Sequence, residues 1–227
     1  MNFKKLLEAQ SEKIKLQKND VSTVMGDDIK AVRKCYSSSQ AMNTELATIK
    51  LLQSNGVAVA SVLFTQDNTA IFERIEGITY EGILERIEQG LLEERSIKRS
   101  AKELCLWLDN YYAVTKDAYR GDINLKNFIL TPFGKCVSID FEEPLKFGRH
   151  EYDMGRMLAF VATYDPPFTI GKHQLCKALL ENFLNMNADI EEIQKEYDLE
   201  IDAMKIRRAG FAKIETQARE FWKLIVK

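Results

Sequence analysis

The sequence predicts an α+β fold, in which a small antiparallel β-sheet with one helix precedes a mainly helical region. Two observations support this prediction. The first third of the chain holds short β-prone runs separated by turn signals, whereas from Thr79 onward apolar residues recur every three or four positions, as in amphipathic helices. The segment ERIEG at 73–77 lies at the change of pattern. We therefore place a β-rich N-terminal domain at 1–76 and a helical C-terminal domain at 77–227.

The elements of the N-terminal domain follow from local patterns. We predict a short helix at 2–10 and then three strands, KIKL, VSTVM and IKAVRKCY, of which the last two flank the tight-turn signal GDD. The helix TELATIKLLQSNG follows, with Asn43 or Thr44 as its expected N-cap and Gly56 at its C-terminal end. Two further strands, VASVLF and TAIFERI, are joined by the turn TQDN. The predicted order is β-β-β-α-β-β.

Helical patterns dominate the C-terminal domain. Within 96–115 the apolar residues recur at helical spacing, and similar patterns cover 151–163, 172–186 and 200–225. The last pattern predicts a single helix with one apolar face, formed by Ile201, Met204, Phe211, Ile214, Ala218, Phe221 and Ile225. The region 119–141 interrupts these helices with two short strands, NFIL and KCVSID, joined by TPFG.

Composition excludes several classes of function. Lys and Arg total 32 against 34 Asp and Glu, so nothing indicates a nucleic-acid partner. No apolar run approaches the ~20 residues that cross a bilayer, and the N-terminus does not resemble a signal peptide. The two histidines lack metal-ligand spacing. Four cysteines are scattered singly, as expected for reduced thiols in a cytoplasmic protein: Cys35, Cys105, Cys136 and Cys176.

The segments YRGDINLKNFIL and VSIDFEE carry the most informative residues. A turn separates Asp122 from Asn127, and the hairpin that follows is expected to return Asp140 close to Asn127. Carboxylate and amide oxygens are ligands that Mg²⁺ prefers, and Asp122 could accept a proton from a substrate hydroxyl. Each of the three could instead be an ordinary turn residue. Their combination favours a magnesium-dependent phosphoryl-transfer site.

The same segments resemble the aminoglycoside-phosphotransferase and choline-kinase group of the protein-kinase-like fold. In that pattern a His-Gly-Asp turn leads to Asn, a hairpin and Ile-Asp-Phe-Glu, and then an Asp opens a helix. The resemblance implies that Asp122 is the catalytic base, that Asn127 and Asp140 bind Mg²⁺, and that Asp153 braces the catalytic loop. Arg120 stands where the group has His, and it could brace the loop or pair with a phosphate.

A kinase-like N-terminal domain implies a Lys on the third strand that anchors phosphates and a Glu on the next helix that holds it. Lys34 and Glu45 occupy these positions, with Arg33 and Lys30 as the fallback if the strand face is misjudged by one residue. The alternative is that Lys34 is a solvated strand charge. After the fifth strand, Phe72 is expected behind the adenine of ATP, and the backbone from Glu73 to Ile75 is expected to bond its edge.

The expected phosphate loop, QKNDVST, contains no glycine, so it is expected either to cover ATP loosely or to contact phosphate through Ser22 or Thr23. The acceptor is expected to be a small molecule with a hydroxyl group. An acidic flank of Asp122, Glu142 and Glu143 favours an amino sugar or an amino alcohol. Candidate acceptor-lining residues are His150, Glu151, Tyr152, Tyr164 and Asp165.

We therefore expect an ATP- and Mg²⁺-dependent phosphotransferase. Two alternatives remain open. The first is a nucleotide-binding protein of the same fold with a regulatory role, an ATPase or a compact protein kinase. The second is a helical interaction protein in which the motif is fortuitous.

Overall fold

The structure is a computed structural model that describes residues 11–16, 19–25, 30–208, 210–211 and 214–227. The chain divides into two compact units. The first extends to Glu76 and also includes Val137–Pro144, and the second comprises Gly77–Cys136 and Leu145–Lys227. The chain therefore returns to the first unit for a short segment, which contains Asp140 and Glu142.

Among its described residues, the first unit contains an antiparallel five-stranded sheet and one helix. Its strands are β1 (Ser11–Leu16), β2 (Asp20–Met25), β3 (Lys30–Cys35), β4 (Val62–Gln66) and β5 (Thr69–Glu73). They lie in the order β1-β2-β3-β5-β4, and helix α1 (Ser39–Ser54) connects β3 to β4. This confirms the α+β class and, over the described residues, the predicted order of elements. The helix predicted at 2–10 and the GDD turn at 26–28 lie outside the described residues.

Helix α1 begins earlier than predicted. Its N-cap is Ser38, whose side chain accepts a hydrogen bond from the backbone N–H of Ala41 at 3.2 Å, so the prediction of Asn43 or Thr44 was wrong. The polar run before the apolar positions is itself helical, which the apolar spacing could not reveal. Gly56 follows the helix with a φ of +77°, a conformation that glycine adopts without strain.

The second unit is mainly helical. Among its short strands, β6 (Ile78–Thr79) pairs with β8 (Phe128–Leu130), and β7 (Ala118–Tyr119) pairs with β10 (Lys146–Phe147). Strand β9 (Cys136–Ser138) follows β8 in the sheet order β6-β8-β9 and leads into the first unit. The helices of the second unit are α2 (Tyr80–Glu88), α3 (Glu94–Thr115), α4 (Glu151–Thr163), α5 (Ile170–Asn185), α6 (Ile190–Arg207) and α7 (Glu215–Ile225), with a 3₁₀ turn at Leu125–Asn127. Within the described ranges, no helix has both the length and the apolar content needed to span a membrane.

The single helix predicted at 200–225 was wrong, because this region contains the end of α6 and the whole of α7. Gly210, with a φ of +82°, lies between the two helices. The predicted apolar face is nevertheless buried, since Ile201, Met204, Phe211, Ala218, Phe221 and Ile225 are each at most 4% exposed. Both helices bury apolar residues, so the helical spacing of apolar residues in the sequence continues across the segment between α6 and α7.

Candidate functional site

In the first unit, three carboxylates surround the ammonium group of Lys34. Its Nζ lies 2.7 Å from Glu45 Oε2, 2.9 Å from Asp140 Oδ1 and 2.6 Å from Glu142 Oε1. Lys34 is on β3, and its side chain is 8% exposed. The two residues that the sequence paired, Lys34 and Glu45, are therefore in direct contact. The alternative of a solvated strand charge does not describe Lys34.

Glu45 is fixed by more than the lysine. The hydroxyl of Tyr36 donates to Glu45 Oε2 at 2.7 Å, and the backbone N–H of Phe141 donates to Oε1 at 3.0 Å. Glu45 is 2% exposed, and a carboxylate at that depth needs such donors. Burial, followed by the charge of Glu45, raises the pKa of Tyr36, so this phenol remains a donor. The sequence did not single out Tyr36.

Asp140 and Glu142 are the more accessible acids of this cluster, with side chains 31% and 17% exposed. Asp140 has a φ of +66°, a left-handed conformation that is uncommon for residues other than glycine and concentrates at functional sites. Carboxylate oxygens of Glu45, Asp140 and Glu142 lie within 4.8 Å of one another, close enough to hold a metal ion. Hard oxygen donors of this kind suit Mg²⁺.

The electrostatic balance of the cluster depends on its lysine. Burial lowers the pKa of the Lys34 ammonium, but the charges of Glu45 and Asp140 outweigh this effect, and the pKa lies above its ordinary value. Lys34 is therefore charged at neutral pH. One ammonium faces three carboxylates, so the cluster has an excess of negative charge.

The connection between β1 and β2 differs from the predicted phosphate loop. Ser22 and Thr23 lie inside β2, opposite Arg33 and Val32 of β3, which confirms the predicted strand VSTVM and shows that the loop prediction QKNDVST extended too far. The described residue of this connection is Asn19. Its amide nitrogen donates to Glu142 Oε1, and its oxygen accepts from the backbone N–H of Ser37 at 3.0 Å. The connection is thus linked to the cluster through Glu142.

The expected adenine-binding stretch follows β5. Phe72 is 7% exposed within the strand, and the backbone N–H of Glu73 donates to the carbonyl of Ser61 at 2.8 Å. That N–H is therefore engaged in the first unit. Ile75 lies beyond the last residue of the strand and is half-buried.

In the second unit, Asp122 and Asn127 are hydrogen-bonded to each other. The amide nitrogen of Asn127 donates to Asp122 Oδ2 at 2.8 Å, and the backbone N–H of Asn124 donates to Oδ1 at 3.3 Å. Asn124 also caps the 3₁₀ turn that contains Asn127, through a 3.2 Å bond from the N–H of Lys126. The sequence spacing of Asp122 and Asn127 therefore does bring their side chains together.

Asp153, on α4, braces this loop from within the second unit. The carboxylate is fully buried and accepts from the backbone N–H groups of Arg120 and Gly121, the latter at 2.9 Å, and from the hydroxyl of Tyr112 at 3.1 Å. Burial raises the pKa of Asp153, and the two backbone hydrogen bonds oppose this rise. These contacts match the bracing role that the resemblance implied.

Arg120 is 5% exposed. Burial raises the pKa of Tyr111 to about 12, and the positive charge of Arg120 opposes the rise. The same guanidinium charge opposes the rise that burial causes in the pKa of Asp153. Of the two roles considered for Arg120, its burial beside these groups favours bracing of the loop.

A second brace was not anticipated. Arg156, on α4, donates through Nη1 to the carbonyl oxygen of Gly121 at 3.2 Å and through Nε to Glu200 Oε2 at 2.9 Å. Glu200 lies on α6, in a region without any recognisable motif. The sequence did contain one indication of this contact. Arg156 is three residues after Asp153, and residues at that spacing share a helix face.

The candidate acceptor-lining residues differ in their surroundings. Tyr164 contacts the loop of Asp122, since its hydroxyl donates to Asn124 Oδ1 at 3.2 Å, and burial raises its pKa to about 12. His150 stacks on Tyr112 at 3.9 Å, and Glu151 accepts from the N–H of Asp189. Tyr152 accepts from Arg156. Asp165 precedes Pro166 through a cis peptide bond.

The acidic flank that suggested a cationic acceptor is only partly available. Within the first unit, the Glu142 carboxylate forms an ion pair with Lys34 and accepts a hydrogen bond from Asn19, so it already has partners of its own. The argument for an amino acceptor from this residue was therefore weaker than the sequence indicated.

Comparisons with known proteins supply no identity. No protein-family model matches this chain, and no curated protein matches it either. What defines the protein is an α+β fold with a buried lysine–carboxylate cluster in one unit and a braced Gly-Asp loop in the other.

Proposed function

We propose that this protein has a protein-kinase-like fold and transfers the γ-phosphate of ATP, with Mg²⁺, to a hydroxyl group of a small molecule. The single observation that carries the proposal is the contact of Lys34 with both Glu45 and Asp140. The sequence alone predicts that these three residues serve one phosphate and metal site, and Lys34 and Asp140 are 106 positions apart.

The topology of the first unit supports the proposal. A kinase-like N-terminal lobe requires its anchoring lysine on the third strand and the partner glutamate on the helix that follows. Lys34 is on β3 and Glu45 is on α1 of the five-stranded sheet. In this interpretation Phe72 lies behind the adenine, and the backbone of Glu73 to Ile75 bonds its edge.

The loop of the second unit supplies the base. Asp122 is partly exposed, and its carboxylate is oriented by Asn127 and by the N–H of Asn124. A carboxylate held in this way can accept a proton from an acceptor hydroxyl and align that hydroxyl for attack. Asp153 and Arg120 maintain the loop.

The residues present fit a magnesium ion. Asp140 would offer a carboxylate oxygen, and carboxylate oxygens of Glu45 and Glu142 lie within 4.8 Å of it in the same unit. These are hard oxygen donors, and Mg²⁺ commonly takes only one or two from the protein. When bound, Mg²⁺ would neutralise negative charge on the phosphates of ATP.

Lys34 has to exchange a partner before it binds phosphate. An ammonium has three hydrogens, and three carboxylates already surround it at 2.6–2.9 Å. Glu45 is held by Tyr36 and Phe141, so Glu142 and Asp140 are the partners that can leave. We propose that phosphate oxygens take the place of Glu142. Because the cluster has excess negative charge, free ATP is repelled and ATP with Mg²⁺ is preferred.

Thermal unfolding tests nucleotide binding. At about 100 times the dissociation constant, ATP with Mg²⁺ should raise the melting temperature by about 5 to 10 °C. Asp140→Ala should lose the Mg²⁺-dependent part of this shift, whereas Asp109→Ala, at an exposed position on α3, should retain it. A wild-type protein whose melting temperature does not respond would refute the proposal.

Transfer is tested by ADP release with a panel of hydroxyl compounds, including glucosamine, ethanolamine and choline, with Asp122→Ala as the inactive control. A kinase-fold regulatory protein that binds nucleotide without transfer is the second candidate. The saturation of Lys34 by three carboxylates favours it, because such a lysine binds phosphate only after displacement. A melting shift with ATP but no stimulation of ADP release by any acceptor would support this second candidate.

A further inference from the structure

The backbone of Gly121, the residue before Asp122, is held at both its N–H and its carbonyl group. Gly121 has a φ of +76°, and its backbone N–H donates to Asp153 Oδ1 at 2.9 Å. Its carbonyl oxygen accepts from Arg156 Nη1 at 3.2 Å and from the N–H of Ile123 at 3.1 Å. Glycine has more backbone freedom than any other residue, so these contacts decide where the next side chain points. That side chain is Asp122.

Arg156 is itself held in place. Its Nε donates to Glu200 Oε2 at 2.9 Å, its Nη1 donates to the hydroxyl of Tyr152 at 2.9 Å, and its guanidinium carbon lies 4.8 Å from the Tyr152 ring centre. Glu200 is 4% exposed and also accepts from Arg207. Burial lowers the pKa of Arg156, but the charge of Glu200 outweighs it and the pKa is raised. The arginine is therefore a fixed, charged donor.

Helix geometry explains how α6 reaches this loop. Asp153 and Arg156 are three positions apart on α4, so both face the loop. Gly155 lies between them, and a Cβ there would be 2.5 Å from the carbonyl oxygen of Ile193 and 2.6 Å from the N atom of Tyr197. Glycine therefore permits the close approach of α6, which brings Glu200 to Arg156.

We propose that Arg156, oriented by Glu200, is a positioning residue for Asp122, an inference that rests on the proposed function. Asp153 holds the N–H side of the loop, and Arg156 holds the carbonyl side. A simple helix-to-helix ion pair would need only the contact between Arg156 and Glu200. The additional bond from Nη1 to the Gly121 carbonyl links the pair to the catalytic loop, and it gives the motif-free C-terminal region a role in the reaction.

The test compares Arg156→Lys, Arg156→Gln and Glu200→Gln with a matched control. Arg219→Gln removes an arginine of α7, whose side chain contacts Asp198 and Asp202 of α6 at 2.7 Å. We call the three variants of Arg156 and Glu200 the loop variants, because they change the contact with the loop of Asp122. With the acceptor that gives the fastest ADP release, kcat should fall by about 10- to 100-fold in these variants, because small misplacements of a reacting group have large effects. The dissociation constant for ATP with Mg²⁺ should change less than about twofold. Arg219→Gln should retain the wild-type kcat.

Arg156→Lys keeps the charge next to Glu200 but lacks the fork that bonds two acceptors at once, so it should behave like Arg156→Gln. Equal losses of kcat in the loop variants and in Arg219→Gln would overturn the proposal. If Arg156→Gln does not fold, the kcat values of Arg156→Lys and Glu200→Gln test the proposal instead.

Amide hydrogen exchange separates this inference from the proposed function. The N–H groups of Ile123 and Asn124 donate within the loop, at 3.1 Å and 3.3 Å. Their exchange should be at least about tenfold faster in Arg156→Gln and Glu200→Gln and unchanged in Arg219→Gln. Unchanged exchange in the loop variants would refute the role of Arg156. A wild-type protein that transfers phosphate to no acceptor would refute the proposed function, and exchange alone would then decide whether Arg156 positions Asp122.

Discussion

The ammonium group of Lys34 lies 2.9 Å from the carboxylate of Asp140, although the two residues are 106 positions apart in the chain. Glu45 and Glu142 complete the acidic surroundings of the same ammonium. Four charged side chains from β3, α1 and the segment Val137–Pro144 thus meet at one point of the first unit. The following predictions test what this cluster and the braced loop do.

Removing the ammonium should destabilise the protein. In Lys34→Met three carboxylates would converge without a counter-charge, and breaking such a buried pair typically costs about 3 to 5 kcal/mol. Urea unfolding measures the loss. Lys30→Met, at an exposed position of the same strand, should change stability by less than about 0.5 kcal/mol. Equal stability of the two variants would show that the cluster does not form.

Neutralising Glu142 should allow ATP to bind without metal. Glu142→Gln keeps the size of the side chain but removes one negative charge beside Lys34, so repulsion of free ATP falls and displacement becomes easier. We expect the affinity for ATP in EDTA to rise by about tenfold, as measured by isothermal titration calorimetry. Glu76→Gln, whose side chain is 67% exposed, is the control and should leave the affinity unchanged. An unaltered affinity in Glu142→Gln would contradict the displacement model.

Replacing the base should stop transfer without affecting nucleotide binding. Asp122→Asn retains the shape of the side chain but cannot accept the proton of an acceptor hydroxyl, so kcat should fall by at least about 100-fold. The melting shift with ATP and Mg²⁺ should remain, because Lys34, the residue that we propose binds phosphate, lies in the other unit. Loss of the shift together with activity would indicate that Asp122 acts in nucleotide binding.

Asp153 should make stability depend on pH. Below pH 3.8, its ordinary pKa, the carboxyl is protonated in both states. As pH rises, the unfolded state releases this proton first, because burial raises the pKa in the folded state. The contribution of Asp153 to the free energy of unfolding should therefore be fully present below pH 3.8 and decrease until the pH exceeds the raised pKa.

Urea unfolding of the wild type and of Asp153→Asn, between about pH 3 and about pH 7, measures this contribution. The difference between their unfolding free energies should become less favourable to the wild type as pH increases. A difference that grows with pH would mean that the three hydrogen bonds to Asp153 outweigh its burial.

Local patterns in the sequence sufficed for much of the fold. The alternation of short β-prone runs and turns placed the described strands of the first unit, and helical spacing placed α3 and α4. Helix ends were harder to predict from the sequence. Helix α1 is capped by Ser38, before the first apolar position, and the apolar spacing continued across the break near Gly210. Periodicity records which side chains face a core, but it does not record where the backbone changes direction.

The sequence by itself also determined which residues could perform the chemistry. It identified the Gly-Asp loop with its asparagine from their spacing, and the resemblance that this motif carries implied the lysine of β3 and the glutamate of α1. Only the tertiary structure revealed the partners beyond Glu45 for Lys34, and those of Arg156. The chain has 34 acidic residues that are chemically able to pair with a lysine or an arginine. The choice of Glu142 for Lys34, and of Glu200 for Arg156, depends on which elements pack within hydrogen-bonding distance. Such contacts join residues that are distant in the chain, so no local pattern encodes them.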